Sequence, residues 1–554
     1  MSSKLQTVIV AVLLSIHFML GYGAIKAISP TYDEPVHFAA GYSYLKLNDY
    51  RYNSQDHPPL AKMWAAIPLL FMRASLPIQH PYWQDIRKYQ YQFSNIFLYH
   101  NKVDAEKMLD AGRVMMMAFS LALGLLIFVW SRRVAGPAAG LFALALWCFM
   151  PAFIANTTLI TTDMALTLFF FASVYYFQKI CEEEDQKRRE WKTTLLFGVS
   201  LGLCFASKYS AIGILPVLFL IWALNSFDKK LFVRLLAGFG VAIIVLWSVY
   251  RFNPLGDFYF FGLNKVISGI NSGRSSFLMG QHSTTGWLYY FPVTFILKTP
   301  LPFLAMLAAV LLFRRTWSRK NIMFLMLPAA AFFAISCLSK VQIGHRHILP
   351  VYPFLIVLVS GLAAYPLAKA WKYLLSLGLV LFAVLTLKTY PWYISYFNEL
   401  AGPRDNSYKY LTDSNVDWGQ GLKELAIYLK NEKAGGIYLS YFGTADPSYY
   451  GIKYFPIGFV DGISRPYTEN ERIGDNIDFE SQEKILLAVS ATNLQATYYA
   501  DKQVFSFLKD IKPVKVAANS IFVYDLKADP GAYAKFRELL APYPKASGRQ
   551  TVDR

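Results

Sequence analysis

Two adjacent carboxylates, Asp33 and Glu34, follow a long apolar run and open the stretch TYDEPVHFAAGYSYL. An acid before Pro35 and an apolar, aromatic stripe is typical of a helix start, where the acid is an N-cap or first-turn residue. Acids at helix ends can cap the helix, or they can line a polar pocket at a membrane surface. The spacing of these residues leaves both interpretations open.

A second stretch in the same region, DHPPLAKMWAAIPLLF, repeats this arrangement, with an acid and a histidine before paired prolines and an apolar helix. The region between residues 28 and 111 is therefore predicted to contain two interfacial helices. Their N-terminal ends carry Asp33, Glu34, Asp56 and His57.

Three further segments place ionisable residues at the mouths of apolar runs. Asp163 lies in the predicted first turn of a membrane helix, where an acid also stabilises the helix dipole. Lys298 lies at the end of an aromatic and apolar run, where snorkelling would explain it. The stretch KVQIGHRHILP carries His345, Arg346 and His347. Ionisable groups near membrane depth are candidates for function. Several cations facing several carboxylates indicate an anionic headgroup with acid–base chemistry beside it.

The elements that must position these residues follow from composition. The chain has 554 residues, of which 55% are hydrophobic and only 16% are charged. This is more apolar than a soluble domain needs, so we predict a polytopic α-helical membrane protein. We attribute the net charge of +18 to basic loops at an anionic membrane surface rather than to a nucleic-acid partner. The four cysteines lie in or beside apolar runs without CxxC spacing, which indicates neither disulfides nor a thiolate metal site.

About eleven apolar runs are candidates to cross roughly 30 Å of hydrocarbon. They lie near residues 6–27, 112–131, 137–155, 161–179, 193–207, 210–226, 232–250, 295–313, 322–338, 347–365 and 373–390. With the N-terminus inside, the inner loops hold 17 Lys and Arg residues and the matching outer connections hold six. This bias places residues 28–111 and the chain after about 391 outside. The first run could instead be a cleaved signal peptide, although it is longer than a usual apolar signal segment.

The pattern changes near residue 391. Residues 1–390 are predicted to form the membrane domain, and residues 391–554 an extracytoplasmic α/β domain. The segments GIYLSYFG, KILLAVSA and SIFVYDL are typical of strands. Asp417 and Gln420 have the spacing of a capping box before an amphipathic helix. The domain could recognise an acceptor or hold the loops of a site, and its sequence does not choose between the two.

Taken in order, these motifs resemble those of the GT-C membrane glycosyltransferases. They are an Asp-Glu pair after the first membrane helix, a His-Pro-Pro segment in the same loop, a Thr-Asp at the mouth of the fourth helix, a Lys-Thr-Pro after an aromatic run, and an Arg-His segment followed by two prolines. The resemblance covers about residues 5–390. It is closest to the branch of protein O-mannosyltransferases and aminoarabinose transferases, which take sugar from a polyprenyl-phosphate carrier. The segments DSNVDWGQGLKELAIYLK and YFGTADPSYYGI resemble C-terminal regions of bacterial members.

The resemblance implies an inverting transfer of sugar from a polyprenyl phosphate to an acceptor protein, lipid or glycan. The transfer would take place on the extracytoplasmic face of a bacterial inner or cell membrane. Asp33 matches the general base of such enzymes. Asp163 would position the acceptor or support the site, and Glu34 would orient Asp33 or face water. Cations in a water-poor site would stabilise the departing phosphate. The candidates are Lys298 and Arg346, with His345, His347 and His57 as weaker contacts.

A divalent ion is compatible with this resemblance, although no metal-ligand spacing such as HExxH is present. No nucleotide-binding glycine motif occurs either, which disfavours a nucleotide-sugar donor. Two alternatives stay open: a transporter or flippase for a lipid-linked saccharide, and a ligase that uses a diphosphate carrier. A transporter is expected to show internal repeats or helices broken near the bilayer midplane. The sequence indicates neither feature.

Overall fold

The computed structural model describes residues 2–182, 187–224, 229–312, 317–364, 369–457 and 477–540, with the side chains of 187–190 and 312 outside the description. The predicted inner loop with Arg314 and Arg315 lies outside the described residues, as do the last residues of the predicted C-terminal domain.

Helices make up most of the chain before the C-terminal region. They are α1 (Ser3–Ala27), α2 (Glu34–Leu47), α3 (Leu60–Met72), α4 (Pro81–Gln84), α5 (Gln90–Tyr99), α6 (Ala105–Ala135), α7 (Pro137–Cys148), α8 (Pro151–Thr157), α9 (Asp163–Glu182), α10 (Lys187–Ser207), α11 (Ile214–Leu224), α12 (Lys229–Val249), α13 (Phe261–Ser272), α14 (Tyr290–Lys298), α15 (Leu301–Leu312), α16 (Arg319–Leu338), α17 (Tyr352–Ser360) and α18 (Lys369–Thr389). A 3-10 turn over His345–Val351 leads into α17.

Within the described residues, seven helices are long and apolar enough to cross a membrane, or up to nine if each of two bent pairs is one span. Shorter apolar helices cover Leu60–Met72, Trp191–Ser207 and Tyr209–Leu224. Each of the eleven predicted runs coincides with one of these helices or bent pairs. The prediction of a polytopic α-helical membrane protein is confirmed.

Both bent pairs break at prolines. Helices α7 and α8 meet at 61° before Pro151, and α14 and α15 meet at 111° around Pro300. Proline lacks the N–H group that a helix interior needs, so the chain changes direction at these points. Both bends fall inside apolar runs that the sequence presented as continuous spans. The expected absence of helices broken near the bilayer midplane stays a prediction.

Helices α2 and α3 follow α1 in the chain, and both occur where the sequence predicted a helix. Every residue of α2 from Glu34 to Tyr44 is buried. Gly41 allows close contact with α3, since a Cβ there would lie 2.0 Å from the carbonyl oxygen of Lys62. Asp56 does not carry the start of α3, because the N-cap of that helix is Pro59. The head of α2 is thus packed inside the protein.

The C-terminal region carries a five-stranded sheet, preceded in the chain by a separate hairpin. The hairpin strands are β1 (Ser276–Leu278) and β2 (Gln281–Ser283), and the sheet strands are β3 (Ile437–Ser440), β4 (Tyr454–Pro456), β5 (Leu486–Ser490), β6 (Lys515–Ala517) and β7 (Ile521–Asp525). The sheet order is β4-β3-β5-β7-β6, with β3 parallel to β4 and β5, and β7 antiparallel to β5 and β6. The helices of this region are α19 (Leu422–Asn431), α20 (Ala491–Leu494) and α21 (Pro530–Leu540).

The central strand β5 is buried on both faces of the sheet. Leu487 and Val489 belong to one apolar cluster, whereas Leu486 and Ala488 belong to another. This alternation follows from the two-residue period of a strand. The three segments predicted as strands are confirmed as β3, β5 and β7, while the domain boundary near residue 391 stays a prediction.

Candidate active site

Glu34 is enclosed by hydrogen-bond donors. Its side chain has no exposed surface, and its two oxygens accept from the Arg113 guanidinium at 2.8 and 2.7 Å. The backbone N–H groups of Thr31 and Ile160 donate at 2.8 and 3.0 Å, and the Thr31 hydroxyl donates at 3.1 Å. Burial alone would raise the pKa of Glu34, but the Arg113 charge and these hydrogen bonds hold it below its ordinary value. Glu34 does not face water; it ties the start of α2 to α6 and to the segment before α9.

Asp33 has a different environment. It is the N-cap residue of α2, yet its side chain makes no capping hydrogen bond within the described part of the chain. The Asp33 side chain is 23% exposed, whereas those of Glu34 and Asp163 are 0% and 1% exposed. Its Oδ2 atom lies 3.5 Å from Nη2 of Arg346. Of these three acids, Asp33 is therefore the one that an incoming molecule can reach.

Asp163 is the first residue of α9, as predicted. Its Oδ1 accepts from the Lys208 ammonium at 2.5 Å, and its Oδ2 accepts from Nη1 of Arg346 at 3.3 Å. Two cations thus contact one buried carboxylate. Arg346 contacts both Asp163 and Asp33 and so links the two acids.

Lys298 and His345 reach the same region but are engaged by protein groups. The Lys298 ammonium donates to the carbonyl oxygen of Ile394 at 2.8 Å and to that of Asn415. The Asn415 side-chain oxygen accepts from the backbone N–H of His345 at 2.8 Å. The His345 ring is hydrogen-bonded to the Tyr352 hydroxyl at 2.6 Å. In this geometry Lys298 and His345 hold chain segments together around the site.

His57 and His347 are also part of this region. The ring of His57 lies 5.4 Å from that of His37, centroid to centroid. Burial, and then the nearby positive groups, lower the pKa of His57 well below its ordinary value, so its ring is neutral at pH 7. The Nε2 atom of His347 is buried and has no hydrogen-bond partner among the residues that the structure describes. Such a nitrogen can accept or donate a bond to a bound group.

A narrow pocket of about 20 Å³ lies among these side chains. Its lining includes Lys298, His345, Arg346, Ser414 and Trp418. This volume has room for about one water molecule and is too small for a sugar phosphate.

The predicted capping box of Asp417 and Gln420 is wrong. Helix α19 begins at Leu422, and no side-chain cap is found for it within the described ranges. The Gln420 side-chain oxygen accepts instead from the backbone N–H of Trp418 at 2.7 Å. Gly419 has a φ of +94°, a conformation that residues with a Cβ rarely adopt, and the chain turns there. The helix consequently starts later than the residue spacing indicated.

Three cations and one aromatic residue around the site had no predicted role there. They are Arg113, Lys208, Arg274 and Trp418. Arg113 and Lys208 are single cations within or between apolar runs, and that signal could have identified them. The Arg274 guanidinium lies 5.2 Å from the ring centroid of Tyr498. Interaction with Tyr498, and then with nearby acids, raises the pKa of Arg274. The structure thus places more cations around the site than the sequence indicated.

In the described ranges, no group of three or more His, Cys, Asp or Glu side chains is arranged to hold a metal ion. Glu34 and Asp163 are both bound to protein cations. The divalent ion stays a prediction.

Comparison with known proteins supports the architecture. Residues 105–250 match the model of the dolichyl-phosphate-mannose-protein mannosyltransferase family. The crystal structure of ArnT from Cupriavidus metallidurans bound to undecaprenyl phosphate aligns with a TM-score of 0.53 at 14% identity, over 94% of this chain and 98% of that chain. Apo ArnT from the same organism aligns with a TM-score of 0.51 at 13% identity, over 93% and 97%. Among curated proteins, none matches this sequence significantly.

These similarities confirm the predicted GT-C fold and the resemblance to the branch of aminoarabinose transferases and protein O-mannosyltransferases. They also point to a glycosyltransferase, which is the predicted class of enzyme. The chain is an integral membrane protein, as its apolar helices require.

Proposed function

We propose that this membrane glycosyltransferase of the GT-C fold moves a sugar from a polyprenyl monophosphate carrier to an acceptor on the extracytoplasmic face, with inversion. The observation that carries the proposal is the pairing of Asp33, the accessible acid, with Arg346. A sugar phosphate that enters between them separates this pair. Arg346 then meets the phosphate, and Asp33 meets the acceptor.

The transfer is a single displacement at the anomeric carbon. An acceptor oxygen or nitrogen attacks that carbon while its proton passes to Asp33. The bond from the anomeric carbon to the phosphate oxygen breaks, and its electron pair leaves with the polyprenyl phosphate. One displacement with attack opposite the leaving group inverts the configuration.

Arg346 is the best placed of the predicted phosphate contacts. It is held by Asp163, and the Lys208 ammonium on the same carboxylate adds positive charge beside it. Fixed cations stabilise a developing charge most strongly where water is excluded. Asp163 acts by orienting these two cations. The neutral ring of His57 and the unpartnered Nε2 of His347 can add hydrogen bonds to the donor.

Lys298 has a supporting role in this proposal. The residue is 5% exposed and its ammonium donates to two backbone carbonyl groups, so protein groups occupy it in place of a phosphate. His345 holds the same segment through Asn415. Both residues keep the cations in place while the donor is bound.

The nature of the carrier is supported by the comparisons. ArnT, which shares this fold, was solved with undecaprenyl phosphate, and the matching family is described by dolichyl-phosphate-mannose. The charge bias of the loops supports a site on the extracytoplasmic side of the membrane. An acceptor protein, lipid or glycan is compatible with the partly open side of Asp33.

Purified protein in lipid nanodiscs would be supplied with radiolabelled sugars on undecaprenyl monophosphate, and with an extract of cell envelope as the source of acceptors. We expect label to move from the organic phase into acceptor material, and undecaprenyl phosphate to be released in equal amount. Transfer from a nucleotide sugar or a diphosphate carrier, with none from the monophosphate carrier, would contradict the proposal.

A further inference from the structure

The segment of residues 414–420 contacts three of the residues that the sequence predicted at the phosphate, which are Arg346, Lys298 and His345. Ser414 accepts from Nε of Arg346 at 3.2 Å. Asn415 receives the Lys298 ammonium on its carbonyl oxygen and the His345 N–H on its side-chain oxygen. These contacts join residues more than 65 positions apart in the chain. The segment belongs to the predicted C-terminal domain, so that domain supplies one wall of the site.

Trp418 covers one face of the Arg346 guanidinium. The Arg346 Cζ atom lies 4.0 Å from the centroid of the Trp418 ring, within the distance of a cation–π contact. The edges of the same guanidinium are directed to Ser414, Asp163 and Asp33. A planar group with one face covered and three edge contacts has little freedom to rotate. The edge toward Asp33 is the one that a phosphate can take over.

The same segment is anchored to the chain that carries Asp33. The carbonyl oxygen of Trp418 accepts from the backbone N–H of Tyr32 at 2.8 Å. The Ser29 hydroxyl donates to the carbonyl oxygen of Gly419 at 2.9 Å. Trp418 therefore contacts Arg346 through its ring and the neighbour of Asp33 through its backbone. Trp418 therefore links the position of Asp33, at the start of α2, to that of Arg346, in the turn before α17.

We infer that Trp418 is a positioning residue for donor binding: its ring aligns the Arg346 guanidinium toward the phosphate of the sugar carrier. This role deepens the proposed function and rests on it. Trp418 acts through Arg346 and makes no contact with the reacting atoms. Loss of the ring should therefore weaken recognition of the donor and leave recognition of the acceptor unchanged.

The test compares Trp418→Leu, which removes the aromatic face, with Trp418→Phe, which keeps one. We expect Trp418→Leu to weaken binding of undecaprenyl phosphate and to raise the donor KM by about 5- to 30-fold, as for a desolvated cation–π contact. Trp418→Phe should recover most of this loss, and the acceptor KM should be unchanged in both variants. Substitution of a residue that only stabilised the fold would not raise the donor KM while leaving the acceptor KM unchanged.

A double-mutant cycle identifies the partner. Binding of undecaprenyl phosphate, which needs no turnover, is measured for Trp418→Leu alone, Arg346→Ala alone and both together. Because Trp418 acts through Arg346, the second substitution should cost almost no further affinity. Tyr449→Phe is the matched control, since it removes a hydrogen bond of 2.7 Å between the C-terminal region and Asp104 without touching Arg346. It should bind like the wild type.

Three results would overturn the inference. Trp418→Leu could bind and use the donor normally while the wild type is active, which would leave the proposed function intact. Its effect could persist in full on the Arg346→Ala background. The wild type could neither bind undecaprenyl phosphate nor transfer from it, in which case the proposed function fails and this inference with it. If Trp418→Leu is not recovered folded, Trp418→Met takes its place in the cycle, because it also removes the aromatic face that covers Arg346.

Discussion

The Nη2 atom of Arg346 lies 3.5 Å from Oδ2 of Asp33 and joins the turn before α17 to the head of α2. The proposed base and the proposed phosphate contact thus restrain each other. Under the proposed function, a donor that binds Arg346 would release Asp33 for the acceptor, and donor binding would be coupled to the availability of the base.

Asp33→Asn should remove activity without harming the fold. The side chain makes no capping hydrogen bond in the described part of the chain, and Asn has nearly the same shape. Loss of general-base action should slow transfer by about 10²- to 10⁴-fold. Initial rates with a polyprenyl-phosphate sugar, together with thermal unfolding in detergent, would measure both effects. Full turnover by this variant would refute the assignment of Asp33 as the base.

Glu34→Gln should have the opposite effect, in that it should lower the stability of the fold. This change removes the charge that faces Arg113 in a pair with no exposed surface. Leaving a buried guanidinium without its carboxylate costs about 3–5 kcal/mol. We expect a lower Tm and a lower yield of folded protein. Glu432→Gln, which breaks an exposed pair with Lys484, is the control and should leave Tm near that of the wild type.

Arg346→Ala and Lys298→Ala should have different effects on donor binding and on stability. Arg346 presents an edge toward Asp33, so its loss should raise the donor KM more than the acceptor KM. Lys298 bridges the carbonyl groups of Ile394 and Asn415, so its loss should lower Tm as well as donor use. Kinetics and thermal unfolding of both variants would show the difference. Normal transfer by both would exclude this set of cations from phosphate recognition.

The stability of the protein should depend on pH through Asp417. Burial raises the pKa of this acid to about 7, despite hydrogen bonds from Thr492 and Gly419 that act in the opposite direction. Between about pH 4 and pH 7 the folded state holds a proton that the unfolded state releases, so stability falls as pH rises through this window. Asp413, whose pKa burial also raises, contributes in the same direction. Tm measured against pH should show a smaller slope in Asp417→Asn, and an identical slope would contradict the prediction.

The loop after α1 and the C-terminal region should lie on the same, extracytoplasmic side. Single cysteines at Gln79 and Asp510, both exposed, should react with a membrane-impermeant maleimide in intact cells. Lys372→Cys, on a predicted inner loop, should react only after the membrane is opened. Labelling of Gln79→Cys and Asp510→Cys from opposite sides would overturn this topology.

The sequence by itself determined the parts of the fold that depend on local pattern. The apolar runs had the length that a bilayer requires, so each became a helix or a bent pair. The strands β3, β5 and β7 followed from short runs of β-branched and aromatic residues. The sequence also located Asp33, Asp163 and Arg346, because charges are costly beside membrane helices and stand out there.

Only the tertiary structure decided which of two adjacent acids is buried. Asp33 and Glu34 are neighbours with similar chemistry, and the difference arises because Arg113 and the backbone of Ile160 converge on Glu34 from distant parts of the chain. The same holds for Trp418, whose ring meets Arg346 from a segment that looked like a helix cap. Such contacts depend on how separate elements pack together. The spacing of residues within one element cannot predict such contacts, because it reflects only the period of that helix or strand. It carries no information on which other element packs against it.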